Sequence, residues 1–172
     1  MKKSLELSGE PLMPGAFVGN PQTELSVYEN WQLNIKRDDF ARNYYDKWNR
    51  TKEQTKTGRP IDGIISPVCA VPAYPDDFDF SIGYTGICNL LQLPSVILPI
   101  TRVDLKLDAM NDEYRQIQPV SELDQKAKDL FDKGIELFEN CRVDLQVICR
   151  RLEEEKAIGL ALVLERAIQS YQ

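Results

Sequence analysis

The chain has no histidine in its 172 residues. That one absence removes the Ser–His–Asp triad, the Cys–His dyad, the histidine general base and every His-ligated metal site. Cysteine is scarce as well. Cys69, Cys88, Cys141 and Cys149 include no C-x-x-C pair, so zinc-binding and thioredoxin-like readings fail. They are too few for a disulfide scaffold in a chain of this length. They read as reduced, small, mostly buried side chains of an intracellular protein, and with no histidine to activate a thiolate a catalytic cysteine is the weaker reading. Runs of Lys and Arg are missing, and the net charge is −6, which sets aside bulk attraction to nucleic acid or to an anionic membrane. Long apolar runs are missing: Val96 to Ile100, like every other run in the chain, is far too short to span a bilayer. No apolar segment follows the two lysines of "MKKSLELSGEP", so a secretory signal is not expected, and the localisation expected is cytoplasmic. None of the nine glycines adjoins another glycine, and no two serines are adjacent.

What is present suits one ordinary domain. Apolar residues make up 42% of the chain, and a domain near this size buries roughly 68–70% of the surface its unfolded chain exposes. The Pro- and Gly-rich stretch "SGEPLMPGAFVGNPQ" predicts an extended arm over residues 1–24, followed by an α/β segment over 25–172.

Ser26-Val27-Tyr28-Glu29 fits the S-x-x-E capping box and predicts a helix to about Trp48, with Leu33, Phe40, Ala41, Tyr44 and Trp48 on one side. The stripe Tyr44, Tyr45 and Trp48 could stack on a base or a sugar. The favoured reading is a packed helix face, because no basic residues interleave. Ile61, Ile64 and Ile65 predict a short strand stopped by Pro67. Asp76, Asp77 and Asp79 follow in an acidic loop that lacks EF-hand spacing and its closing Glu, so it reads as solvated loop. "YTGICNLLQLPS" predicts a short helix, and "SVILPI" an apolar strand of the kind covered on both faces. Residues 101–120 read as loop. Ser121 can cap a helix carrying Ala127, Leu130, Phe131, Ile135 and Phe138, weakened by Gly134. Val143, Leu145 and Val147 alternate with Asp144 and Gln146 as a strand does. A last helix begins near Leu152. Its apolar stripe runs through Ala157, Leu160, Ala161, Leu164, Ala167, Ile168 and Tyr171, and Glu153, Glu154 and Glu155 form a solvated first turn. Short strands alternating with longer helices give the α/β class, with helices covering a mainly parallel or mixed sheet. Three strands are few for such a sheet, so open edges and bare helix faces are expected, as in an incomplete layer fold.

Several separated blocks then carry a family resemblance. "TGRPIDGIISPV", "GYTGICNLLQLPSVILPIT" and "DLQVICRRLEEEKAIGLALVLERAI" occur in that order, after "SGEPLMP" and "RDDFARNYYDKWN". Together, from about Leu5 to Ile168, they resemble the C-terminal part of fungal-type amidases of the amidase signature family. The resemblance implies an α/β/α layered fold around a large mixed sheet, of which this chain would be a part. It also implies hydrolysis of carboxylic amides by a Ser–Ser–Lys relay, with no metal and no cofactor, a chemistry that needs no imidazole. The family's lysine and its Gly/Ser-rich nucleophile segment lie upstream of these blocks. No residue here inherits a catalytic role, and the chain alone is expected to be inactive. Ser66 and Ser81 read as loop or strand-end hydroxyls. The chain departs from the family at Cys88, where an aromatic is usual, and at Arg142, Asp144 and Cys149, where the pattern has Pro and Gly.

By the same resemblance, Tyr84, Thr85, Cys88 and Asn89 wall the acyl pocket. Against it stands the plainer reading that the turn's polar groups merely satisfy loop backbone. The expected partner is a small amide substrate once an N-terminal amidase half completes the pocket. No nucleic acid or membrane partner is expected, and self-association through an exposed sheet edge is. The alternatives are a truncated, non-catalytic amidase homologue acting as a binding or interaction module, and an unrelated small α/β binding domain.

Overall fold

The computed structural model describes residues 2–9, 24–75 and 82–170. The chain divides into two compact units, Met1–Ile61 with Tyr74–Phe80, and Asp62–Ala73 with Ser81–Gln172. Among the described residues no helix is long and apolar enough to cross a membrane.

In the first unit, helix α1 spans Lys2–Ser8. The arm expected over 1–24 is therefore helical where it is described, and residues 10–23 lie outside the described residues. "KKSLELS" contains no glycine or proline; those begin at Gly9, which takes φ +70° just past the helix end. Helix α2 spans Val27–Arg50, and its capping box forms as the sequence implied. The Glu29 amide donates to Ser26 Oγ at 3.2 Å, and the Ser26 amide donates to Glu29 Oε2 at 2.8 Å. The far end is closed by side chains. Thr51 Oγ1 donates to the Trp48 carbonyl at 2.6 Å and accepts the Ile61 amide at 2.9 Å, while Trp48 Nε1 donates to the Ile61 carbonyl at 3.0 Å. Trp48 is buried; Leu33 and Phe40, on the same stripe, are exposed, as are Val27, Trp31 and Ile35 on the opposite side.

The second unit is built on a three-stranded sheet. Strands β1 (Ile64–Pro67), β2 (Ser95–Arg102) and β3 (Arg142–Ile148) lie in the order β1-β3-β2. The α/β class is as expected, but both pairings are antiparallel, so these strands make no parallel or mixed sheet. Alternation of helix and strand fixes neither strand order nor direction. Here the last strand inserts between the first two and runs against both. The register shifts between Pro99 and Thr101 on β2, where Pro99 has no amide to give to a ladder. Ile65 and Ile97, on the two outer strands, are 57% and 52% exposed.

Helix α3 (Gly86–Leu91) precedes β2, and Gln92 ends it in the left-handed region. The segment read as loop contains a one-turn helix, α4 (Asp112–Gln116), capped by Asn111. Helix α5 (Glu122–Phe131) is capped by Ser121, and Gly134, at φ +123°, separates it from a 3₁₀ turn over Ile135–Phe138. A side chain is strained at that φ, so the glycine breaks what the sequence suggested as one helix. Helix α6 (Glu154–Gln169) packs on β2 and β3 with Ala157 and Ala161 buried. The core comprises Val71, Leu91, Leu93, Val103, Leu130, Phe138, Val147, Ile148 and Cys149 with those two alanines.

Candidate functional site

Gln146 is 1% exposed, and it is the buried polar side chain among the described core residues. A buried amide must place two donors and an acceptor. Its Nε2 donates to the Pro67 carbonyl and to the Tyr84 carbonyl, each at 2.9 Å. Its Oε1 accepts from Ser95 Oγ at 3.4 Å and lies 3.9 Å from Cys88 Sγ. One side chain on the central strand thus fixes the end of β1, the start of β2, helix α3 and the turn ahead of it. Period-two alternation puts Gln146 on the same face as Asp144, opposite Val143, Leu145 and Val147, and does not single it out as buried. The signal that could have found it is the unbroken Val147-Ile148-Cys149 beside it, all buried: a strand end covered on both faces leaves a neighbouring polar residue no route to water.

The four residues expected to wall the pocket all lie in this turn and helix. Tyr84 is 43% exposed and lines a cavity of about 210 Å³ with Tyr114, Ile117, Ala127, Lys128 and Phe131. Thr85 is the N-cap of α3 and makes no side-chain cap bond; its carbonyl accepts the Cys88 amide at 3.0 Å. Cys88 is half-buried and turned to Gln146 rather than lining this cavity. Asn89 is exposed, and its carbonyl accepts the Gln92 amide at 3.4 Å. Ser66 Oγ donates to the adjacent Pro67 carbonyl at 3.0 Å. Ser81 and the aspartates at 76, 77 and 79 lie outside the described residues.

The charged groups of the Tyr84 cavity are already engaged. Lys128 Nζ bonds both oxygens of Asp132 at 3.1–3.2 Å and stands 5.3 Å over the Tyr114 ring. Asp124 Oδ2 accepts the Val120 amide at 2.9 Å. Beside these, the lining offers the rings and hydroxyls of Tyr84 and Tyr114, the ring of Phe131 and the side chains of Ile117 and Ala127, which suit an uncharged group. Burial makes the Cys88 and Cys149 thiols poor nucleophiles. Burial pushes the Cys88 thiol up, only partly offset by a hydrogen bond from Ser95, and burial likewise raises Cys149. Cys149 is buried and Cys69 exposed, with the other two between, so the cysteines are less uniformly buried than expected. Asp144 Oδ1 is buried with no hydrogen-bond partner. Among the described residues no group of three or more Cys, Asp or Glu side chains converges.

No family model matches the chain. An amidase of Gibberella zeae is 34% identical over 173 residues, covering 97% of this chain and 31% of the relative. Acetamidases of Emericella nidulans and Aspergillus oryzae are 31% and 32% identical over 161 residues, each covering 92% of this chain and 28% of the relative. Among solved structures, a fatty acid amide hydrolase shares the fold with a TM-score of 0.69 and 23% identity, over 84% of this chain and 23% of that one. The chain spans about 30% of the length of the relatives it matches, in their C-terminal part. The sequence relatives and the shared fold agree: over nearly its whole length this chain is similar to the C-terminal part of fungal amidases, and it has the fold of the matching part of a fatty acid amide hydrolase.

Proposed function

We propose that the chain forms the C-terminal part of a hydrolase of carboxylic amides. In this reading the turn and helix that carry Tyr84, Thr85, Cys88 and Asn89 form the pocket wall, with Tyr84 facing the cavity and Cys88 turned inward to Gln146; the chain also supplies strands of the sheet, while a Ser–Ser–Lys relay is carried by residues outside it. The observation that carries the reading is the Tyr84 turn, pinned from below by Gln146 beside a cavity lined by aromatic rings. A wall held by a fully satisfied buried amide is rigid, and rigidity lets a pocket discriminate acyl groups by shape. The raised thiols favour a nucleophile other than cysteine. The fungal sources of the relatives favour a fungal-type enzyme, and free cysteines suit the cytoplasm. Among the described residues β1 and β2 pair only with β3, and their outer edges would be covered in a complete amidase; uncovered, they favour self-association.

The test has two arms. The purified chain should show no turnover of acetamide or benzamide above a mock-purified control. Joined to the N-terminal part of a fungal amidase it should become active. In that joined protein Tyr84→Ala should change the ratio of kcat/KM for a short and a long acyl amide by about ten-fold or more, the effect of a methylene-sized change in a pocket wall. Turnover by the chain alone, or an unchanged ratio in an active joined protein, overturns the reading.

A further inference from the structure

A second cavity adjoins the one that Tyr84 lines. It has a volume of about 440 Å³ and an apolar wall that includes Val103, Met110, Ile135 and Val143. Tyr114 and Phe131 line both cavities. Their rings meet edge to face, with centroids 5.8 Å apart and planes at 69°. Both rings are held. Phe131 stacks at 4.8 Å on Phe138, which is fully buried. Tyr114 lies under the Lys128 ammonium, and Lys128 is itself tied to Asp132. The backbone beneath Tyr114 is fixed too, because its amide donates to the Asn111 cap at 2.8 Å. The larger cavity offers little to a charged ligand: Asp108 Oδ2 accepts the Asp104 amide at 2.8 Å, and Asn111 Oδ1 is spent on that cap.

We propose that the Tyr114–Phe131 pair is a partition that sets ligand size. The Tyr84 cavity then takes one compact uncharged group, and the 440 Å³ beyond is closed to that ligand while the rings stay in place. An apolar cavity of about 150 Å³ accommodates benzene, so the 210 Å³ on the Tyr84 side holds one ring or a short branched chain. An extended acyl chain needs both volumes. Tyr114 is thus a specificity-determining residue, and Lys128 its positioning residue, acting through the ring it covers. The amide part of the proposal rests on the amidase reading above; the partition itself does not.

The experiment is methyl-detected NMR on the full chain with three probes: benzene, benzamide and octanamide. The methyls of Ile117 and Ala127 report the Tyr84 cavity, and those of Met110 and Ile135 the larger one. With benzene, the two sets should follow two independent saturation curves in the parent and in Tyr114→Phe, which keeps the ring, and one common curve in Tyr114→Ala. Octanamide should move only Ile117 and Ala127 in the parent. In Tyr114→Ala it should move both sets and gain about ten-fold in affinity relative to benzamide. If Tyr114→Ala does not fold, Lys128→Met is the second variant; it frees the ring, and its two benzene curves should draw together. Benzene curves that already coincide in the parent, benzene that moves neither set, or an octanamide-to-benzamide ratio unchanged in folded Tyr114→Ala each overturn the partition. If neither amide moves any methyl in the parent, the amidase reading of the Tyr84 cavity fails, while the benzene curves still decide the partition.

Discussion

Replacing Gln146 by methionine keeps roughly the volume and removes all four polar contacts. The Pro67 and Tyr84 carbonyls each lose a donor at 2.9 Å. An unsatisfied buried acceptor costs about 1–3 kcal/mol. Tyr84 and Pro67 are exposed residues, so water can reach part of each carbonyl, and the lower end of that range applies. The contacts from Ser95 at 3.4 Å and Cys88 at 3.9 Å are at the limit of hydrogen bonding and add a few tenths of a kcal/mol at most. We therefore expect Gln146→Met to cost about 2 kcal/mol, which for a chain of this size lowers Tm by about 4–8 °C. Tryptophan fluorescence would follow the wrong unit, because Trp31 and Trp48 both lie in Met1–Ile61. The suitable assay is urea-dependent amide exchange at Val147 and Ile148, next to the substitution. Gln146→Glu adds a sign. A carboxylate would face two carbonyl oxygens, so its folded pKa is raised above the unfolded Glu value of about 4.3. Stability is then intact below that value and lost as pH rises through the folded pKa. A Gln146→Met variant within about 0.5 kcal/mol of the parent, or a Gln146→Glu variant whose stability does not fall between pH 4 and 8, would refute the clamp.

Two further outcomes follow from the same unit. At Gly63 an added Cβ would stand 3.1 Å from the Ile148 carbonyl oxygen and 3.0 Å from Leu160 Cδ1. The backbone oxygen cannot swing aside as a side chain can, so Gly63→Ala should destabilise by about 1–3 kcal/mol, read as a lower urea midpoint by circular dichroism. Burial opposes ionisation of Glu153, but the Arg150 hydrogen bond and the charges of Lys156 and Arg150 hold its carboxyl below the ordinary value of 4.5. With the folded value depressed, its contribution is whole above pH 4.5 and lost as pH falls through the folded pKa. Glu153→Gln should therefore cost about 0.5–1 kcal/mol at pH 7 and progressively less as pH falls through the folded pKa; a cost that does not shrink with falling pH would contradict the ion-pair origin.

The helices with local signals were legible in the sequence. Ser26 and Glu29 mark the start of α2 to the residue, and the 157, 160, 161, 164, 168 spacing marks the inward side of α6, because caps and stripes are short-range chemistry. The sheet was legible as three strands but not as an antiparallel one, since pairing is decided by contacts some eighty residues apart (Ile64 meets Ile148). Helix α1 was hidden by the prolines and glycines that follow it, and α4 by having one turn. The pocket turn at Tyr84 was recognisable from its block. Its neighbours Tyr114, Lys128 and Phe131 were not, because each reads as ordinary surface or core spacing on its own element. Only folding brings the three beside a turn some 30 to 47 residues earlier.

The sheet order also has a consequence in time. The central strand is the last to be made, and β1 and β2 pair with it and not with each other. A ribosome adding roughly 5–20 residues per second needs several seconds to go from Ile64 to its partner Ile148. β1, and β2 once it has been made, wait through that interval without a ladder, and no shorter nascent chain can pair either of them with β3. The arrival of Arg142–Ile148 completes two ladders at once, and with Gln146 it also seats the Tyr84 turn. The described sheet and the seating of the Tyr84 turn therefore await the same seven-residue segment.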